Sequence, residues 1–215
     1  MFCLEKREVL LFATLRHIEV SAIAVVISVV VAVPLGILIT RYRKLAHVMV
    51  NSANIGQTIP SLAILGLVIP VLGIGLKPAV FAIVIRGVLP ILNNTYSGIV
   101  NVDRFLIEAG RGMGMKNREI LTMVEIPLSF PVIMAGIRTA AVLSISVAAL
   151  AALIGAGGLG DLIFQGIVMA DRNLLLAGSI PTALLAVGTD VGLGWIEKRV
   201  KKVATETGLL KGEQT

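Results

Sequence analysis

Val20 to Thr40 reads VSAIAVVISVVVAVPLGILIT, twenty-one residues without a charge. As a helix rising about 1.5 Å per residue, the run is about 31 Å long, which matches the hydrocarbon core of a bilayer. Arg41, Arg43 and Lys44 stop it. On its other side residues 1–17 mix polar and apolar positions, with Val9, Leu10, Leu11, Phe12 and Leu15 on one helical face, and read as a short interfacial segment.

Beyond Lys44 the same signal recurs. Val48 to Leu76 is uncharged for 29 residues but broken by Gly56, Pro60, Pro70, Gly73 and Gly75, so a second span is expected over roughly 50–70, kinked at Pro60 with a turn after Pro70. Pro78 to Val100 forms a third span containing Arg86, Pro90, Asn93 and Asn94. Pro131 to Ile154 forms a fourth, rich in Ala and Ser, which allow close helix approach where lipid supplies no hydrophobic drive. Gly155-Ala156-Gly157-Gly158-Leu159-Gly160-Asp161 breaks that span, Leu162 to Ala170 reads as a short helix, and Leu174 to Ile196 forms a fifth span. The fold class is all-α and polytopic, organised as a segment 1–17, a transmembrane unit 18–200 with a loop at about 101–128, and a basic tail 201–215.

Composition agrees. Of 215 residues 56% are hydrophobic and 15% charged, where soluble domains carry about a quarter charged residues; mean hydropathy is +0.94. The net charge of +6 does not indicate nucleic acid, because the basic residues sit in loops rather than on one stripe interleaved with aromatics. Cys3 stands alone, and no His/Cys/Asp/Glu group has metal-ligand spacing; His17 and His47 read as interfacial. Glu5, Lys6, Arg7 and Glu8 argue against a cleaved signal peptide, so the first span is expected to remain. Segments 41–44, 101–125 and 198–211 carry twelve basic residues against five on the other side (Lys6, Arg7, Arg16, Lys77 and Arg172). The positive-inside rule therefore puts the N-terminus outside and the 101–128 loop and C-terminus in the cytosol.

That loop contains Glu108-Ala109-Gly110-Arg111-Gly112-Met113-Gly114 and, after nine intervening residues, Val124-Glu125-Ile126-Pro127. Val102 to Met113 suits a short helix, with Asp103 near its N-terminus and Gly114 as a left-handed cap. Glu108 has Arg111 at i+3 and Arg118 beyond the turn as candidate partners. The glycines follow no strand and lack the lysine-serine/threonine pair of a phosphate-binding loop, so no ATP site is evident.

The spacing resembles the EAA loop of the permease subunits of ATP-driven bacterial ABC importers, with Gly110 for the second alanine and Val124 and Ile126 for the two aliphatic positions. The resemblance implies that Glu108, Ala109, Gly110, Arg111, Gly114, Ile126 and Pro127 form a coupling element that docks on an ATPase subunit. ATP and Mg would be bound by that partner, with no cofactor on this chain. Thr58-Ile59-Pro60-Ser61-Leu62-Ala63, Leu89-Pro90-Ile91-Leu92 with Asn94-Thr95-Tyr96, Ala135-Gly136-Ile137-Arg138-Thr139-Ala140 and the Leu153–Gly160 glycine run are similar to permeases for glycine betaine, carnitine and choline, over about residues 15–200. The implied assembly holds two ATPase subunits, a second permease (identical or related) and an extracellular substrate-binding protein, in the cytoplasmic membrane of a bacterium. Another amino-acid-like solute such as methionine is the alternative substrate. An autonomous secondary transporter is the alternative class, although no internal repeat is visible. Paired carboxylates and a nucleophile-base arrangement are lacking, so no catalytic role is expected.

Three charges fall inside spans. Arg138 lies seven residues after Pro131 and Asp190 seven before Glu197, which puts both about 10 Å above the cytosolic face and pairs them, for structure or for gating. Arg86 lies near mid-membrane with no acid at its depth; a carboxylate-bearing zwitterion passing through could pair with it, and the commoner alternative is an arginine that snorkels or bonds backbone carbonyls at a subunit interface. Trp195, Tyr42 and Tyr96 are too scattered for an aromatic cage, so specificity is expected in the binding protein. Asn54, Gln57, Thr58, Ser61, Arg86, Asn93, Asn94 and Ser144 are candidate path residues, each equally an interhelical hydrogen bonder, and Gly155, Gly157, Gly158 and Gly160 form a candidate extracellular gate.

Overall fold

The computed structural model describes residues 7–206 and is helical throughout: α1 (Arg7–Ile39), α2 (Arg43–Thr58), α3 (Ser61–Leu72), α4 (Leu76–Val100), α5 (Arg104–Gly112), α6 (Asn117–Ile120), α7 (Ile126–Ala151), α8 (Leu159–Val168) and α9 (Arg172–Glu206). Four helical stretches are long and apolar enough to cross a bilayer, and α2 with α3 makes a fifth if the bent pair counts as one span. Cys3 and residues 207–215 of the basic tail lie outside the described residues.

α1, α4 and α7 pack against one another as the centre of the bundle; α2 and α3 lie on α4, and the α8–α9 hairpin lies on α7. The interface residues are small. One cluster holds Ala24, Ala79, Ala82, Ala148 and Ala151 around Leu65 and Ile83, and another holds Ala32, Ala46, Ala53 and Ala140 around Ile39 and Ile91. A Cβ on Gly136 would stand 2.7 Å from that of Asn94, so this glycine sets how closely α4 and α7 approach. Larger apolar side chains such as Phe12, Val30, Leu184 and Val191 point outward, as a helix bundle solvated by lipid requires.

Several boundaries differ from expectation. The expected interfacial segment is no separate helix over its described part, because α1 runs unbroken from Arg7 through the 17/18 boundary. His17 is consequently buried at 1% exposure, its Nε2 3.0 Å from the Ile145 carbonyl, rather than interfacial. His47 is exposed, with Asn51 3.1 Å away. The kink expected at Pro60 is a full break, with the two half-helices bent by 102°, and α3 continues through Pro70 to Leu72 before turning at Gly73. The fourth span begins well before Pro131. α6, a π turn at Leu121–Glu125, α7 and a 3₁₀ turn at Ala152–Ile154 follow one another as one stretch, Asn117–Ile154. Pro127 lacks the N–H that would close on Met123, and the wider turn just before it accommodates the loss.

Candidate coupling surface and translocation path

The helix expected at Val102–Met113 is α5, and its ends are closed by local chemistry. The Asp103 carboxylate accepts from the Phe105 N–H at 2.9 Å. At the other end Gly114 takes φ +84°, its N–H donates to Arg111 O at 2.9 Å, and the Met115 N–H donates to Gly110 O at 3.1 Å. That pair of bonds is a Schellman cap, which glycine adopts without strain. Gly110 is buried against Met115 and Ile120, whereas Glu108, Ala109 and Arg111 are exposed. Beside them Phe105, in the first turn of α5, and Met113, just past its end, are 74% and 77% exposed. Sequence reading passed over these two.

The expected partner of Glu108 is not found: neither Arg111 nor Arg118 pairs with it among the described residues. The carboxylate that orders this loop is instead Glu119, which accepts from the Lys116 N–H at 2.7 Å and starts α6. Ile126 and Pro127 open α7.

Glu125, read from sequence only as a spacer, is 5% exposed in the π turn, where both of its carboxylate oxygens meet the guanidinium of Arg41. Arg41 lies in the turn between α1 and α2, so the pair ties the segment after α5 to the corner where the first two helices meet. Eighty-four residues separate the partners, and no local spacing announces the contact.

Six of the eight candidate path residues, Asn54, Gln57, Thr58, Ser61, Arg86 and Asn93, lie along α2, the start of α3 and the facing side of α4. Arg86 Nη1 donates to Gln57 O at 3.0 Å and Ile59 O at 3.3 Å, carbonyls released where α2 ends, and Asn93 donates to Asn54 at 2.7 Å. Thr58 Oγ1 donates to Ile55 O. Asn94 and Ser144 are elsewhere. Asn94 donates to Pro90 O at 2.9 Å beside Gly136, and buried Ser144 donates to Ala140 O at 2.7 Å, so both belong to the α4–α7 packing.

Arg138 and Asp190 meet side by side, Nε to Oδ1 at 2.6 Å and Nη2 to Oδ2 at 2.7 Å, with Glu197 3.5 Å from Nη1. The helical stretch that carries Arg138 starts at Asn117, before the Pro131 from which its position was counted. Opposite the Arg41 end, Gly155, Gly157 and Gly158 all take positive φ, and the Gly75 N–H donates to Ile154 O at 2.7 Å. Gly160 sits where a Cβ would be 2.1 Å from Ala149 O, so the glycine run seats α8 against α7.

The profile of a family described as "Binding-protein-dependent transport system inner membrane component" matches residues 32–202. A carnitine transport permease protein of Listeria monocytogenes is 48% identical over 204 residues, 95% of this chain and 94% of the relative. A glycine betaine/carnitine/choline transport system permease protein of Bacillus subtilis is 47% identical over 89% of this chain and 88% of its own length. An osmoprotectant import permease protein of Salmonella typhimurium is 43% identical over 91% and 92% respectively. Among solved structures, an inward-facing methionine ABC transporter superposes with a TM-score of 0.80 over 89% of this chain and 95% of that one, at 21% identity, a likeness of fold.

Proposed function

The chain belongs to the family of binding-protein-dependent transport system inner membrane components, and we infer from that membership that it is the permease subunit of an ATP-driven importer of osmoprotectants: glycine betaine, carnitine, choline or a close relative. The observation that carries the substrate class is identity above 40% along nearly the full length of relatives named for these solutes. The carrier role is non-catalytic: ATP and Mg belong to the ATPase partners, a second permease completes the path, and a binding protein delivers the solute from outside.

The coupling role of α5 is supported by its shape. A short capped helix with Glu108, Ala109 and Arg111 exposed between Phe105 and Met113 offers an apolar, partly charged surface of the kind that enters a groove on a partner. The excess of basic residues on this side favours the cytosol, with the N-terminus outside. ATPase closure pressing on α5 would act on α6 and the π turn, which run on into α7, and, through Glu125 and Arg41, on the α1–α2 corner. The Arg138–Asp190 pair serves as a structural clamp between α7 and α9, and the Gly155–Gly160 seat forms the outer closure.

Purification of the chain in mild detergent from its own host tests this reading. An ATPase subunit and a solute-binding protein that binds a quaternary ammonium compound are expected to accompany it. Recovery of the chain without any ATPase subunit, under conditions that preserve other membrane complexes, would count against it.

A further inference from the structure

We propose that Arg86 is a permease-side contact for the carboxylate of a zwitterionic solute, placed where the α2–α3 span is broken; the proposal rests on the osmoprotectant reading above. Arg86 is ten residues into α4, about 15 Å from its start and about 21 Å from its end, and so near the middle of the membrane. An ionised group at that depth requires a counter-charge. Arg138 has Asp190 and Glu197, and Arg41 has Glu125, but among the described residues no carboxylate comes within 4.0 Å of Arg86.

Its neighbours are neutral and orient it. Nη1 donates to Gln57 O and Ile59 O, which have lost their helical partners at the break before Pro60, while Nε is enclosed without an acceptor. Two neutral carbonyls fix the direction of the guanidinium and leave its positive charge unbalanced. Snorkelling to the membrane surface is prevented by the same two bonds.

The surroundings fit a small zwitterion. Ser61 opens α3 just beyond the break, and about two helical turns further along α4 the Asn93 amide donates to Asn54, while Asn93 Oδ1 is buried without a donor. A planar guanidinium that lacks a carboxylate partner is suited to recognise one on a solute. Solutes with a carboxylate should therefore depend on Arg86, and a quaternary ammonium alcohol should not.

The test uses the complete importer in proteoliposomes, with its ATPase and a saturating binding protein. Uptake of glycine betaine and carnitine, which carry a carboxylate, is compared with that of choline, which does not. Arg86→Gln is expected to lower uptake of the first two about tenfold while choline stays within about twofold, and Arg86→Lys to fall between. If Arg86→Gln does not assemble, Arg86→Lys carries the test, and the betaine-to-choline ratio must still fall. An unchanged ratio, whether all three solutes drop together or none drops, would assign Arg86 to closing the broken helix alone and overturn the proposal. Import of choline but of neither carboxylate solute by the unaltered chain would also overturn it. Import of none of the three would overturn the osmoprotectant reading itself.

Discussion

Replacing Arg41 by Gln strands the Glu125 carboxylate, which is 5% exposed in the π turn and has no other partner among the described residues. Removing one member of a fully buried pair costs about 3–5 kcal/mol. Here the Arg41 side chain is 44% exposed, so water already screens part of the attraction and the expected cost falls to about 1.5–3 kcal/mol. The reverse change, Glu125→Gln, leaves a half-exposed guanidinium that water can solvate and a neutral amide that still accepts; its cost is about 0.5–1.5 kcal/mol. The asymmetry is the useful quantity. In the purified complex the first variant is expected to lower the unfolding midpoint by about 5 °C and the second by about half of that. The double variant should cost less than the sum, by about 1 kcal/mol. Equal losses for the two single variants, or strict additivity in the double, would refute the view that Arg41 is there to neutralise a buried carboxylate.

Two further outcomes follow from the same geometry. Gly114→Leu meets open space but must adopt φ +84°, so about 1–2 kcal/mol of backbone strain falls on the Schellman cap alone; membrane insertion should be normal and ATPase association weakened, and full coupled transport would count against the capping role. Asp190→Asn leaves Arg138 with Glu197 at 3.5 Å, so reduced complex yield with transport surviving in proportion is expected; intact assembly with transport abolished would replace the structural reading by a gating one.

The spans were legible because charge-free runs long enough to cross a bilayer have few other uses, and the α5 ends because Asp103 and Gly114 act on their own neighbours. Where sequence reading went astray, the cause was an unforeseen local turn or a contact between residues far apart in sequence. The fourth span was started at Pro131, yet the π turn at Leu121–Glu125 carries the helix past Pro127 without a stop, and the helical stretch begins at Asn117. His17 was read as interfacial, whereas it is buried with its Nε2 at the Ile145 carbonyl, 128 residues away in sequence. Glu125 with Arg41 was invisible for the same reason, as were the carbonyls on Arg86, which become available only once the 102° break is known.

Uptake into sealed vesicles tests the importer reading most directly: labelled glycine betaine or choline, the chain, its binding protein, and the ATPase subunit present or omitted. Uptake that requires both the ATPase subunit and ATP hydrolysis is expected. Uptake that persists with no ATPase subunit would contradict it and make the chain an autonomous carrier.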